Sequence, residues 1–161
     1  MRMLMTIFAS LVLLSAVTFA QTAEVTAKPL SDSDIQLMRS DVQADKNNII
    51  AATMRFTDAE SAAFWPVYRD YAYGQQVIGD ERLQVIKDYA KNYDTLDDTK
   101  ARDLVQRMIN VEDKTLNLRE DYWPQFMKAL GAKRAAKFYQ VDNRLTLIIN
   151  VQLTAAIPLI R

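Results

Sequence analysis

The chain has 161 residues, half of them apolar, which is enough for one domain with a real hydrophobic core. Three glycines and four prolines supply too few tight turns for an all-β fold, so we predict an all-α protein. Twenty basic and twenty acidic residues balance, and histidine and cysteine are absent; we therefore expect no nucleic-acid partner, no disulfide and no enzyme built on a histidine base or a thiolate.

Residues 1–20 have the pattern of a cleaved secretory signal peptide. Arg2 gives a positive start, an uncharged apolar run extends from Leu4 to Phe19, and Ala20 provides the small residue at the cleavage site. The alternative is an uncleaved membrane anchor, because the run is only slightly shorter than a membrane span. We expect export to the periplasm, a flexible lead-in over residues 21–31 and a single helical domain over residues 32–161.

The first predicted helix runs from about Asp32 to Met54, with Ser31 or Asp32 as its N-cap. Its apolar residues recur at a spacing of three and four, which predicts a buried stripe with Asp45 as the one polar intruder. The stripe comprises Ile35, Met38, Val42, Ile49, Ala52 and Phe56.

The second predicted helix begins after Thr57, which forms a capping box with Glu60, and ends near Asn92 or Tyr93. A third helix follows the acidic turn over residues 94–99 and has the most regular three-four spacing in the chain. Because the connection is short, the two helices should form a long antiparallel hairpin. The seams are Phe64, Tyr68, Tyr71, Gln75, Ile78, Arg82, Val85 and Tyr89 in one helix, and Ala101, Leu104, Met108, Val111, Thr115, Leu118 and Tyr122 in the other.

Gly131 is predicted to end the third helix, and a fourth should run from about Ala132 to a point before Pro158. Its buried residues should include Phe138, Val141, Leu145 and Ile148. The uncharged tail from Leu145 onward could be a second membrane span or a buried helix; its length and its polar interruptions favour the buried helix.

One helix start is used twice in the chain. Residues 56–67 and 130–141 align so that Ala62, Phe64 and Val67 correspond to Ala136, Phe138 and Val141. The capping residues differ between the copies, so what repeats is a packing face at the start of each helix. We call these two segments the repeated helix start.

Two prolines, Pro66 and Pro124, lie within predicted helices in similar aromatic surroundings. Each either bends its helix, which would curve the long hairpin into a cradle, or marks a break in it. Aromatic residues at helical spacing are mostly core, but those near the bends are also candidates for an exposed patch that grips a partner. The candidate partner-binding residues are Trp65, Tyr68, Tyr73, Trp123 and Phe126.

The sequence contains no motif that is typical of a catalytic, metal-binding or cofactor-binding site. Asp97 and Asp98 fall in a turn, where capping explains them better than acid-base catalysis. No calcium loop, phosphate-binding glycine loop or basic stripe is present in the sequence, so we predict no catalytic residue, no metal site and no cofactor.

The signal peptide, the helical mature chain and the paired helix starts resemble the Spy/CpxP family of periplasmic proteins. The resemblance rests on Phe56, Thr57 and Glu60 in one copy and Leu130, Gly131 and Arg134 in the other, compared with the family's paired Leu-Thr-x-x-Gln motifs. It implies a cradle of long antiparallel helices, often dimeric, that binds unfolded envelope proteins without ATP or acts as an adaptor for a stress sensor.

We therefore expect a non-enzymatic periplasmic binding protein of the chaperone or envelope-stress adaptor type, with unfolded or envelope proteins as partners and a homodimer as one assembly. No stable membrane span should remain after signal cleavage. The alternative is a structural or assembly subunit that pairs with another envelope protein through its helical seams.

Overall fold

The computed structural model describes residues 32–155 and Leu159, and within this part the chain is all-α, as predicted. The elements are α1 (Asp32–Met54), α2 (Asp58–Asn92), a short 3-10 turn (Tyr93–Thr95), α3 (Asp98–Leu130) and α4 (Ala132–Ala155). The predicted signal peptide, the lead-in over residues 21–31, the Ser31 cap and Pro158 lie outside the described residues.

Helices α2 and α3 form the predicted long antiparallel hairpin. Residues late in α2 contact residues early in α3, as in the ion pair of 2.7 Å between Asp88 and Arg107. Residues early in α2 contact residues late in α3, and the rings of Tyr71 and Tyr122 lie 5.5 Å apart. The predicted seams are confirmed, because Phe64, Tyr68, Tyr71 and Val85 are buried in α2 and Leu104 and Val111 are buried in α3.

Local capping sets the ends of these helices. Thr57 and Glu60 form the predicted capping box, in which each side chain bonds the other residue's backbone N–H. Asp97 caps α3 by accepting a hydrogen bond of 2.8 Å from the backbone N–H of Lys100. Gly131 ends α3 with a positive φ of 74°, a conformation that costs glycine little.

Both prolines lie within continuous helix. Pro66 is inside α2 and Pro124 is inside α3, and neither marks a break in its helix. Both side chains are exposed, so the carbonyl groups that lose a helical partner lie on the solvent side of the hairpin. The prediction that the prolines bend the hairpin into a cradle stays a prediction.

Helices α4 and α1 complete one core at the end of the hairpin where α2 begins and α3 ends. α4 packs antiparallel to α3, and α1 packs antiparallel to α4. All four helices contribute to this core, whose buried residues are Ile50, Met54, Phe64, Tyr68, Tyr71, Phe126, Leu130, Ala135 and Phe138.

The predicted buried face of α1 is wrong. Val42, Ile49 and Ala52 are exposed, whereas Ile50 and Met54 are fully buried. The buried face lies about one residue further round the helix than predicted. The prediction missed this face because Lys46 lies on it and interrupts its apolar pattern. The side chains of Ile35 and Met38 lie outside the described part of the chain.

The tail of α4 is also less buried than predicted. Phe138 is buried and Leu145 is partly buried, but Leu147, Ile148 and Val151 are exposed. Among the described residues, no helix combines the length and the apolar character needed to cross a membrane.

Candidate functional site

An open cleft lies between α1 and α2. Its volume is about 250 Å³, and both helices contribute side chains to it. Gln43 and Asn47 line it from α1. The α2 side is lined by Trp65, Tyr68, Arg69, Ala72, Tyr73 and Gln76. Three of the five predicted partner-binding residues, Trp65, Tyr68 and Tyr73, therefore lie at one site.

These three aromatic residues differ in depth. Tyr73 is 69% exposed and Trp65 is half-buried, whereas Tyr68 is 1% exposed and belongs to the core. The Trp65 ring meets that of Tyr68 edge to face at 5.5 Å, so Tyr68 forms the floor of the cleft beneath it. Tyr68 is consequently not the exposed contact residue that the prediction required, although it supports Trp65.

The polar end of Tyr68 is held by α1. The side-chain amide of Gln43 donates hydrogen bonds to the Tyr68 hydroxyl at 3.3 Å and to Asn47 Oδ1 at 3.0 Å. Burial, reinforced by the charge of Asp142, raises the pKa of Tyr68 to about 12. The hydroxyl therefore stays protonated at neutral pH.

The other two predicted contact residues lie elsewhere. Phe126 is buried in the core, with its ring 4.5 Å from that of Phe138, so its prediction as an exposed contact is wrong. Trp123 is half-buried and meets Tyr139 edge to face at 6.3 Å. Both border a void of only about 10 Å³, room for no more than one water molecule. The predicted set thus divides between a cleft and the core.

The two copies of the repeated helix start face each other. The Phe64 and Phe138 rings pack edge to face at 4.9 Å, and Glu60 forms an ion pair with Arg134. Arg134 also donates a hydrogen bond of 2.9 Å to the carbonyl of Met54, at the end of α1. Leu130 and the partly buried Phe56 pack in or against the core. The predicted motif residues therefore join three helices and do not line the cleft.

A buried ion pair joins α1 to α4, and the sequence pattern did not predict it. Lys46 on α1 and Asp142 on α4 are 7% and 3% exposed, and Lys46 Nζ lies 3.2 Å from Asp142 Oδ1. The hydroxyl of Tyr71 donates to Asp142 Oδ2 at 2.9 Å, and Gln75 Oε1 accepts from Lys46 at 3.1 Å. Helical spacing offers one signal for the pair, because Lys46 precedes Ile50 and Met54 by four and eight residues.

This buried cluster connects helices. Each charged group has a partner of opposite charge and further hydrogen bonds, which is the condition for burying charge at a tolerable free-energy cost. Burial, the charge of Asp142 and the hydrogen bond to it raise the pKa of Tyr71 well above its ordinary value. No group of three or more acidic side chains in the described part of the chain could hold a metal ion.

Comparison of the chain with protein-family models, with curated proteins and with solved structures finds no match. The resemblance to the Spy/CpxP family therefore rests on the sequence pattern, and it stays a prediction.

Proposed function

We propose that this protein is an exported, non-enzymatic binding protein that holds segments of unfolded or envelope proteins in the α1–α2 cleft, as an ATP-independent chaperone or an envelope-stress adaptor does. The observation that carries the proposal is the convergence of Trp65 and Tyr73 beside the amide-rich face of α1. Export is proposed from the signal-peptide pattern of residues 1–20.

The shape of the cleft favours a polypeptide over a small molecule. Its volume of about 250 Å³ is below the range that is usual for small-molecule pockets, and it opens to solvent. It can take one large apolar side chain while the neighbouring residues of a ligand continue along the surface. Tyrosine and tryptophan with exposed edges are typical anchors for such contacts, because they bury a large area with little loss of side-chain entropy.

The central experiment measures suppression of aggregation. Protein purified after expression of the full-length chain is mixed with an unfolded client at equimolar ratio, and light scattering follows client aggregation. We expect suppression by the original protein and about tenfold weaker suppression by Tyr73→Ser, because loss of an anchoring aromatic typically costs more than 1 kcal/mol of binding. No suppression by the original protein would remove the chaperone version of the proposal.

The chain offers a matched control. Tyr139 is an exposed tyrosine of α4 and does not line the cleft. Tyr139→Ser should therefore suppress aggregation as well as the original protein does. Equal losses in the two variants would show that exposed tyrosines act without regard to position, and would contradict a specific cleft. Mass spectrometry of the same preparation tests whether residues 1–20 have been removed.

A second candidate function, an assembly subunit, is supported by apolar residues away from the cleft. Val105, Ile109 and Leu116 follow one face of α3, and all three are exposed. Leu147, Ile148 and Val151 are exposed on α4. Envelope extracts resolved by size exclusion would separate the two functions, because a stable hetero-complex favours an assembly subunit and a free monomer or homodimer favours the binding protein.

A further inference from the structure

Arg69 lies between two aromatic residues on the α2 side of the cleft. It follows Trp65 by four residues and precedes Tyr73 by four, so the three side chains share one face of α2. All three line the cleft, and the Arg69 side chain is exposed. A cationic group between two aromatic residues can accept a carboxylate while its neighbours bind apolar groups.

The cleft has a charge of its own although the chain is neutral overall. Arg69 is the one charged residue among the described residues that line it. The ion pairs found in the described part of the chain use other arginines and lysines, and none involves Arg69. The guanidinium group is therefore available to an acidic group that enters from solvent.

The polar side chains around Arg69 suit a polypeptide backbone. Gln43, Asn47 and Gln76 carry amide groups, each of which provides both donors and acceptors. Gln43 is already oriented by its bonds to Asn47 and Tyr68, which lowers the entropy cost of using its remaining oxygen. Amides of this kind can bond the N–H and C=O groups of an extended segment whatever its sequence.

From this arrangement we propose that the cleft selects extended polypeptide segments in which an acidic side chain neighbours an apolar one, with Arg69 binding the carboxylate and Trp65 or Tyr73, one turn to either side on α2, packing against the apolar group. The proposal rests on the proposed function, since it specifies which segments the same cleft prefers. The amides supply contacts common to all sequences, and Arg69 supplies the preference.

Trp65 provides the reporter for a direct test. The chain has two tryptophans, so Trp123→Phe leaves Trp65 as the only indole, and it lies in the cleft. In this background, fluorescence titration compares two short unstructured peptides that have the same leucine and phenylalanine residues and differ only in a central Asp or Asn. Isothermal calorimetry provides a second measure of binding that does not depend on fluorescence.

We expect the Asp peptide to bind about threefold to fivefold more tightly than the Asn peptide at low salt, the range for a solvent-exposed ion pair. The difference should shrink at high salt. Arg69→Gln should abolish the difference in affinity between the Asp and Asn peptides. Arg69→Glu should instead favour a matched peptide with a central Lys. Arg102→Gln, which removes an exposed arginine of α3, should leave the difference between the Asp and Asn peptides unchanged.

The possible results test the acidic preference separately from the proposed binding of polypeptides. Equal affinities for the two peptides, or a preference for Asp that survives Arg69→Gln, would overturn the acidic preference while leaving polypeptide binding in place. Absence of binding by both methods, for both peptides, would instead overturn the proposed function. Self-association of the protein that excludes the peptides would identify a second copy as the occupant and would overturn both.

Discussion

Glu60 and Arg134, which occupy equivalent positions in the two copies of the repeated helix start, form an ion pair with each other. Glu60 lies in the first turn of α2 and Arg134 in the first turn of α4. Arg134 also donates hydrogen bonds to the carbonyl oxygens of Met54 and Arg55, where α1 ends. The repeat therefore produces a contact between its own copies, and this contact joins α1, α2 and α4.

Arg134→Met should destabilise the protein by about 1.5–3 kcal/mol, because hydrogen bonds to a charged group contribute in this range and the end of α1 loses its cationic partner. Chemical denaturation followed by circular dichroism measures the change. Arg144→Met removes an exposed arginine of the same helix and should change the unfolding free energy by less than about 0.5 kcal/mol. Equal effects of the two substitutions would contradict a special role for Arg134.

The pKa of Glu60 predicts an acid dependence of stability. The backbone N–H of Thr57 lowers this pKa from 4.5, and the Thr57 hydroxyl and Arg134 add to the effect. A lowered pKa stabilises the folded state above pH 4.5, and this contribution is lost as the pH falls through the lower folded-state value.

Glu60→Gln should therefore reduce the slope of unfolding free energy against pH on the acid side of pH 4.5. Urea denaturation at a series of pH values measures the slope. Glu112→Gln removes one negative charge from an exposed position on α3 and reports the effect of charge alone. An unchanged slope in Glu60→Gln would contradict the assignment.

Lys46 and Asp142 should be strongly coupled in stability. Lys46→Met leaves the buried Asp142 carboxylate without its cation and should cost about 3–5 kcal/mol. The double variant Lys46→Met/Asp142→Leu removes both charges and should recover part of that loss, because neither charge then remains buried alone.

A double-mutant cycle in chemical denaturation measures this coupling. Lys133→Met on the exposed surface of α4 is the control for loss of a lysine. If the effects of Lys46→Met and Asp142→Leu on the unfolding free energy are additive, the two residues are not coupled and the prediction is wrong.

Features encoded locally in the chain were predicted correctly. The start of α2 follows from Thr57 and Glu60, and the end of α3 follows from Gly131, because these capping roles depend on nearby backbone alone. The buried face of α1 was not predicted, because Lys46 is buried only through a partner that lies 96 residues later in the chain. The periodicity of α2 places Tyr68 in the buried seam, whereas the depth of Phe126 depends on how four helices meet, which periodicity does not specify.

Tyr68 and Tyr71 should make the protein sensitive to alkaline pH. The pKa of each is raised by burial, to about 12 for Tyr68, so ionisation favours the unfolded state, in which the value is close to 10. A raised pKa gives stability that is complete below pH 10 and is lost as the pH rises through the folded-state value.

Absorbance at the phenolate band should therefore show two of the seven tyrosines ionising only as the protein unfolds. Tyr68→Phe should weaken the loss of stability above pH 10, whereas Tyr73→Phe controls for the removal of an exposed hydroxyl. Ionisation of all seven tyrosines in one step while helicity is retained would contradict the burial argument.

The two glycines inside α2 should respond in opposite ways to alanine. Gly79→Ala places its methyl group in open space and should stabilise the protein by about 0.5–1 kcal/mol, the helix propensity difference. At Gly74 a methyl carbon would lie 2.7 Å from Leu118 Cδ1, so Leu118 must shift, and overpacking of this kind costs about 1–3 kcal/mol. Gly74→Ala should therefore bring no gain or a net loss.

The combination Gly74→Ala/Leu118→Ala separates the two contributions at Gly74. Once the Leu118 side chain is shortened, the added methyl group no longer collides, and the alanine at position 74 should be stabilising relative to Leu118→Ala alone. Thermal and chemical denaturation of the original protein, Gly74→Ala, Leu118→Ala and the double variant measure the differences in unfolding free energy. If Gly74→Ala stabilises the original protein, Leu118 moves freely. The close packing of α2 against α3 then lies elsewhere along the hairpin.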